Sequence, residues 1–418
     1  PTWSAGAVWH VSEETFMEVV RPVLSRLSLR VATGYTGNIN KTVKPNLMMK
    51  YYKNFRISDD ENYRMGYINN APNPKLRWEK TRDVKVALDF GLWKDRINGI
   101  VEAYWRKSKD CVTSEYVPVT TGFFNQSYNT SVLQNNGVEF SLSVAVLKSK
   151  DYNLSVSANV AWNQNKLKKY NSPNTSLALD KYVGYPMGAV FSGKYEGIDP
   201  ETGMYKFKLR PDAVTNKDGY LREPNNYYYY LGTSVAPFTG GFNLNFSYKN
   251  IGLSVGGSYS VKAKMVDNIE SPAGYELLSG SKLESIPTPH NDLYRNHLNV
   301  KREVRNRWTP ENRTGVKYPR LIDAYGKKLG LDLTNPTLTT ITRGALLEDI
   351  SYLRINTIAL SYSLPQRVLE RINFSSAALN LTLNNFFTIT KYSGIDPEVP
   401  GATYPVSRSV TIGLNVGF

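Results

Sequence analysis

The sequence predicts an all-β fold, specifically an antiparallel transmembrane β-barrel, on three observations. Apolar and polar residues alternate with a period of two in segment after segment, the connections between segments alternate short and long, and the 418 residues contain no apolar run of the length a membrane helix needs. A mean hydropathy of −0.40 excludes a helical membrane protein. It leaves a barrel open, because a barrel strand needs only every second residue to be apolar. Composition agrees: aromatic residues make up 12% of the chain, with 29 Tyr outnumbering 15 Phe and 7 Trp, and such residues fit a half-buried pleated surface. The single cysteine, Cys111, excludes an intramolecular disulfide framework and a four-thiolate zinc site. Three histidines, His10, His290 and His297, are too few for a His-dominated metal centre, so no metal or other cofactor is expected.

The predicted strands follow in chain order. Leu27 to Tyr35, Val84 to Leu92 and Ile97 to Trp105 come first. In the next pair, Val138, Phe140, Leu142, Val144 and Val146 share one parity, as do Tyr152, Leu154, Val156, Ala158, Val160 and Trp162, and only Lys148 to Asp151 separates the two. Phe242, Leu244, Phe246 and Tyr248 form another face, followed across Lys249-Asn250 by Ile251, Leu253, Val255 and Tyr259, which is a hairpin signature. Tyr352 to Leu364 and Leu379 to Ile389 follow, and in the last strand Val410, Ile412, Leu414, Val416 and Phe418 alternate without a break with small or polar residues. That makes about ten strands of barrel-spanning length. Within Tyr352 to Leu364 the parity slips, from Leu353 and Ile355 to Ile358, Leu360 and Tyr362, which predicts a β-bulge near Asn356-Thr357.

Tight turns follow Leu92, Leu147, Tyr248 and Leu364, the last as a compact Pro365 to Asn373 turn, whereas residues 36–82, 107–135, 163–240, 261–349 and 390–406 form long polar excursions. Short connections on one side and long ones on the other are the periplasmic-turn and extracellular-loop asymmetry of outer-membrane barrels. The topology closes if the crossings hidden between Asn163 and Gly240 are even in number. Two echoes of one word, Gly197-Ile198-Asp199-Pro200-Glu201 and Gly394-Ile395-Asp396-Pro397-Glu398, read first as two similar Asp-Pro turns, with an ancient duplication or a cation-binding turn as alternatives.

Several words stand out along the chain. They are Gly37-Asn38, Asn73-Pro74-Lys75-Leu76-Arg77-Trp78-Glu79-Lys80-Thr81, Asn135 to Phe140, Gly197 to Pro200 with Thr202-Gly203, and Arg307-Trp308-Thr309-Pro310-Glu311-Asn312. After these come Glu348-Asp349-Ile350-Ser351-Tyr352-Leu353-Arg354, Leu360 to Pro365, Asn385 to Glu398 and Tyr404-Pro405. Together these words resemble the C-terminal half of a SusC-like (SusC/RagA-type) TonB-dependent outer-membrane transporter, and the resemblance implies a twenty-two-stranded barrel with an N-terminal plug in the outer membrane of a Bacteroidetes-type Gram-negative cell, importing glycans or peptides with energy from TonB. It implies a SusD-like surface lipoprotein as partner, and TonB contact through a plug portion that residues 1–418 do not include. Residues 1–418 then read as one unit, the C-terminal part of the barrel, with Trp9 to Phe16 similar to a mid-barrel segment of the family. A SusC-like barrel that only scaffolds surface lipoproteins is the alternative.

Phe418 closes its alternating strand with an aromatic residue, and together with Val416, Leu414 and Ile412 it resembles the signal read by the barrel assembly machinery. Tyr227, Tyr228, Tyr229 and Tyr230 are candidate substrate or lipoprotein contacts, because aromatic faces cover sugar rings while phenol tips keep their hydrogen bonds; an interfacial girdle or a packed loop is the plainer reading. Gly252-Leu253-Ser254-Val255-Gly256 matches a nucleophile elbow literally, but no helix follows it, so no enzyme is expected. The net charge of +15 comes from residues scattered through turns and loops, such as Lys166, Lys168 and Lys169 after a strand and Lys301, Arg302, Arg305 and Arg307 in a loop. That scatter fits outer-membrane lipid and lipopolysaccharide phosphates rather than nucleic acid. The facing expected is Val410, Ile412 and Leu414 toward lipid and Glu139, Ser155 and Asn415 toward the lumen.

Overall fold

The computed structural model describes residues 2–39, 43, 45–51, 66–123, 125–170, 182–201, 203, 205–213, 227–266, 305–318, 343–371, 373–400 and 404–418. It divides into two units, residues 1–148 with 154–187, and residues 149–153 with 188–418.

The first unit holds β1 (Trp3–Trp9), β2 (Leu24–Asn38), β3 (Met48–Tyr51), β4 (Gly66–Asn70), β5 (Glu79–Leu92), β6 (Ile97–Tyr116), β7 (Asn125–Lys148) and most of β8 (Tyr152–Tyr170). Strands β1, β2, β5, β6, β7 and β8 lie in that order, and β3 pairs with β4 apart from them. Antiparallel register aligns the alternating residues into rows across the strands. One face carries Trp9–Leu29–Leu88–Val101–Phe140 and Ala7–Val31–Val86–Ala103–Val138. The other carries Gly6–Ala32–Lys85–Tyr104–Gly137 and Ser4–Gly34–Asp83–Arg106–Asn135.

The second unit holds β9 (Ala189–Ile198), β10 (Tyr205–Lys208), β11 (Tyr228–Thr233), β12 (Phe238–Tyr248), β13 (Ile251–Val261), β14 (Lys264–Val266), β15 (Leu347–Asp349), β16 (Tyr352–Ser363), helix α1 (Gln366–Arg371), β17 (Ser376–Thr390) and β18 (Ser409–Gly417). Here β12, β13, β16, β17 and β18 follow one another in the large sheet, β10-β9-β11 form a separate three-stranded sheet, and β14 pairs with β15. The rows are cleaner still. Tyr248–Ile251–Tyr362–Leu379–Leu414, Phe246–Leu253–Leu360–Leu381–Ile412 and Leu244–Val255–Ile358–Leu383–Val410 share one face. Behind them run Ser247–Gly252–Ser361–Asn380–Gly413 and Asn245–Ser254–Ala359–Thr382–Thr411. Ile412 is 73% exposed and Leu414 66%. A contiguous face of this kind would drive aggregation in water, and it is matched to hydrocarbon.

All ten predicted strands are present. The predicted bulge is there too: Gly256 and Gly257 pair with Thr357 and Ile355, so Asn356 is the extra residue. It restores parity, because Leu353 and Ile355 now face the same way as Ile358.

Four expectations need correction. Strand β1 was not predicted: between Trp3 and Trp9 its apolar face offers only Ala5 and Ala7, and Val8 stands on the opposite face, so the alternation is faint. Most strands outrun their apolar alternation: β6 continues to Tyr116, β7 starts at Asn125 and β8 runs to Tyr170, so most of the supposed 107–135 excursion is hairpin and Lys166, Lys168 and Lys169 lie within a strand. The reason is physical, since strand length beyond the apolar band is held by backbone pairing with no hydrophobic contrast to reveal it. The 163–240 and 261–349 excursions contain β9 to β11 and β14 to β15; none of these five joins the large sheet, so no hidden crossing occurs among the described residues. The Pro365 to Asn373 turn contains α1.

Candidate functional site

On the polar face of the first unit, three cations each meet a carboxylate. Arg30 Nε lies 2.6 Å from Asp89 Oδ2, Lys85 Nζ 3.0 Å from Glu102 Oε1, and Arg106 Nη2 2.8 Å from Asp83 Oδ2. Asp83 and Arg106 are directly opposite, and the other two pairs reach diagonally across the register, as cross-strand neighbours can. Each pair is partly solvated and contributes only about 0–1 kcal/mol, so together they make a hydrophilic lining rather than a source of stability.

The second unit contains a buried joint built from the words singled out in the sequence. Arg354 on β16 donates from Nη2 to Asp396 Oδ1 at 2.6 Å and from Nε to Thr388 Oγ1 at 3.2 Å, with Glu398 Oε2 2.8 Å from Nη1. The Arg354 and Asp396 side chains are 3% and 5% exposed, so removing Arg354 would leave the Asp396 charge buried without its cation, at a cost of roughly 3–5 kcal/mol. Burial pushes the Asp396 carboxyl upward, but N–H donation from Glu398 and Val406, together with Arg354, outweighs it and holds the group below the usual carboxylate range. Glu348 accepts from Ser393 N at 2.9 Å and Ser393 Oγ at 2.5 Å, and Ile350 packs with Ala263 and Tyr392. The Tyr392 ring folds back over Gly394, where a Cβ would lie 2.4 Å from Cζ. Glu348 to Arg354 therefore clamps the segment after β17.

The two Gly-Ile-Asp-Pro-Glu words make the same Asx turn. Asp199 Oδ1 accepts from Glu201 N at 2.8 Å, as Asp396 Oδ1 does from Glu398 N at 2.9 Å. No three potential metal ligands cluster among the described residues. Trp308 Nε1 donates to Pro200 O at 2.9 Å, tying the Arg307 to Asn312 word to the first turn. Asn73 to Thr81 behaves likewise: Asn73 Nδ2 donates to Ser127 O, Arg77 pairs with Asp110 at 2.6 Å, and Glu79 Oε1 accepts from Val112 N.

Residues 1–269 match the family described as TonB dependent receptor-like, beta-barrel. The chain belongs to this family. Along its length it is similar to TonB-dependent receptor SusC of Bacteroides thetaiotaomicron, at 26% identity over 98% of this chain and 39% of that protein. It is also similar to TonB-dependent receptor P26 of Formosa agariphila, at 25% identity over 99% of this chain and 42% of that protein. Among solved structures the RagAB peptide transporter superposes with a TM-score of 0.78 at 26% identity, covering 100% of this chain and 43% of that one. The chain thus spans about two-fifths of the length of the relatives it matches. It is an outer-membrane β-barrel chain, in a family of receptors and transporters rather than enzymes.

Within this TonB-dependent receptor barrel, Tyr228, Tyr229 and Tyr230 lie on β11, in the three-stranded sheet apart from the large one, and Tyr227 immediately precedes the strand. Register places Tyr228 and Tyr230 on one face with Phe191, Tyr195 and Phe207. The Phe191 and Tyr230 centroids are 5.8 Å apart, and those of Tyr195 and Phe207 6.0 Å. Tyr229 turns to the other face and donates to Leu209 O at 2.9 Å. Sequence reasoning missed Phe191, Tyr195 and Phe207, which only strand pairing brings beside the tyrosines. Ile412 and Leu414 stand on the apolar face of β18, Val416 pairs with Ala377, and Phe418 lies just past the ladder with its ring edge-on to Phe374 at 5.1 Å. Ser254 sits mid-strand on β13 and donates to Asn245 Oδ1 at 2.8 Å. His10 Nδ1 is 3.0 Å from Ser28 Oγ, whereas His290, His297, Lys301 and Arg302 lie outside the described residues.

Proposed function

We propose that this chain is the barrel part of an outer-membrane importer that takes up glycan or peptide nutrients with energy from TonB, under a SusD-like surface lipoprotein. The observation that carries this reading is end-to-end similarity to SusC and to the RagAB peptide transporter, on a sheet whose apolar rows are backed by polar ones. The apolar face, with Val410, Ile412 and Leu414, meets lipid, and the polar face, with Glu139, Ser155 and Asn415, lines the lumen. The excursions opposite the tight turns are extracellular. The aromatic face of Tyr228, Tyr230, Phe191, Tyr195 and Phe207 is the loop surface suited to stacking against sugar rings or peptide side chains. Ile412, Leu414, Val416 and Phe418 serve as the assembly signal.

The test is native mass spectrometry of the complete protein from solubilised outer membrane, paired with uptake of labelled oligosaccharides and peptides in cells with and without TonB. A plug-bearing chain, a co-purifying lipoprotein and TonB-dependent uptake are the expected results. An intact lipoprotein complex with no TonB-dependent uptake of either substrate class would mean a scaffold instead.

A further inference from the structure

On the apolar face of the first unit, the rows change character just beyond the aromatic residues. Trp3 contacts Tyr35 at 5.8 Å between centroids, and Trp105 stands opposite Val84. The row at Tyr35 continues through Arg82 and Lys107, and the next, at Gly37, continues through Lys80 and Lys109. All four cations are exposed, and they share the parity of Val84, Val86 and Leu88 rather than that of the paired charges behind.

Arg82 faces Lys107 directly and Lys80 faces Lys109, two successive like-charge cross-strand pairs, an arrangement that is destabilising unless an anion lies between them. None of the four has a salt bridge among the described residues. Asp110, whose charge Lys80 and Lys109 both feel, gives its salt bridge to Arg77 at 2.6 Å and makes none with the four. Adjacent rows lie about 7 Å apart along a strand, so the four charges bracket a space of phosphate size. Trp78 lies beside this cluster, with its ring 3.1 Å from where a Cβ on Gly37 would be. By contrast, Arg30, Lys85 and Arg106 on the polar face each have an acidic partner. An aromatic belt capped by cations that make no salt bridge, on the side whose lower rows are apolar, matches the depth profile of a lipid, chain below and headgroup above.

We propose that Lys80, Arg82, Lys107 and Lys109 bind the phosphate-bearing headgroup of an outer-leaflet lipid whose acyl chains lie against the apolar rows below. The proposal rests on the assignment of that face to lipid, and it is independent of what is imported.

The test uses the full-length receptor in detergent, titrated with diphosphoryl lipid A and with the same lipid dephosphorylated, and native mass spectrometry to read what is retained. The expected result is retention of the phosphorylated lipid, with each cation changed to Gln weakening it roughly fivefold. The K80Q/R82Q/K107Q/K109Q variant should lose it, while a K80R/K107R/K109R variant and a K148Q/K150Q control should keep it. If the quadruple variant fails to assemble, K80Q/K109Q gives the same reading. Undiminished retention in the neutralised variants, equal loss in the control, or retention independent of phosphate would overturn the proposal. Complete displacement by millimolar inorganic phosphate would also do so, by showing a free-anion site. Absence of TonB-dependent uptake by the unaltered receptor, with lipid retention intact, would count against the import reading alone.

Discussion

Arg354 shows how one side chain can decide the course of a whole segment. With Asp396 neutralised as Asp396→Asn, Arg354 keeps Thr388 and the half-exposed Glu398, so the cost should fall below the roughly 3–5 kcal/mol expected for Arg354→Met, which leaves Asp396 buried and unpaired. Limited proteolysis within residues 391–408 would rank the two. The acid behaviour has a definite sign. Because the folded carboxyl titrates below the usual value of about 3.9, its stabilisation is complete above that pH and is lost as pH falls through the lowered folded value. Hydrogen exchange of the Glu398 and Val406 amides should therefore stay slow to about pH 4 and rise below it, and Asp396→Asn should remove that pH dependence. On β18, Leu414→Arg should lower outer-membrane levels, at a cost of roughly 2–4 kcal/mol near mid-bilayer, whereas Asn415→Arg should be tolerated. Equal effects from the two would sink the assigned facing. The partner Asp396 was not legible from sequence, since it stands far from Arg354 in the chain and is brought to it by the return of β17.

At the scale of elements, the bulge at Asn356 was legible because two parities within one strand can be reconciled only by an extra residue. Deleting Asn356 should leave Leu353, Ile355, Ile358, Leu360 and Tyr362 together on the apolar face, because it removes the slip that the bulge absorbs, whereas deleting Ala359 should turn Leu360 and Tyr362 toward the polar face; heat-modifiable gel mobility should report impaired assembly for the second deletion only. Strand β1 was not legible, because Ala5, Ala7 and Gly6 offer little contrast between faces. The polar ends of β6, β7 and β8 stayed hidden for a related reason: above the apolar band, polar residues stand on both faces and the period-two signal fades. Deleting Phe418 should slow assembly without altering the β17–β18 register, since Phe418 lies beyond the last paired residue, Gly417. Pulse-labelled outer-membrane accumulation would show it, and an unchanged rate would remove the assembly role.

At the scale of the molecule, the two faces divide the chemistry. The apolar rows tolerate exposure only where the solvent is hydrocarbon, and the four cations above them make no salt bridge among the described residues, while Arg30, Lys85 and Arg106 on the face behind each meet a carboxylate. Simultaneous replacement of Tyr228, Tyr230 and Tyr195 by Ala should leave outer-membrane levels unchanged, because the three-stranded sheet is separate from the large one. Uptake should fall if this surface captures substrate, and a labelled-substrate uptake assay at matched expression would decide it.

The period-two pattern by itself determined the fold class, the ten strands with full apolar alternation and the bulge, because burial against lipid on one face writes its period directly into the residues. Only the tertiary structure decided what joins distant words: the clamp of Glu348 to Arg354 on Ser393 to Glu398, the five-ring face on β9 to β11, and the stacking of Arg82 on Lys107 and Lys80 on Lys109. These depend on register between strands, which is set by backbone pairing and leaves no local signature in either strand alone.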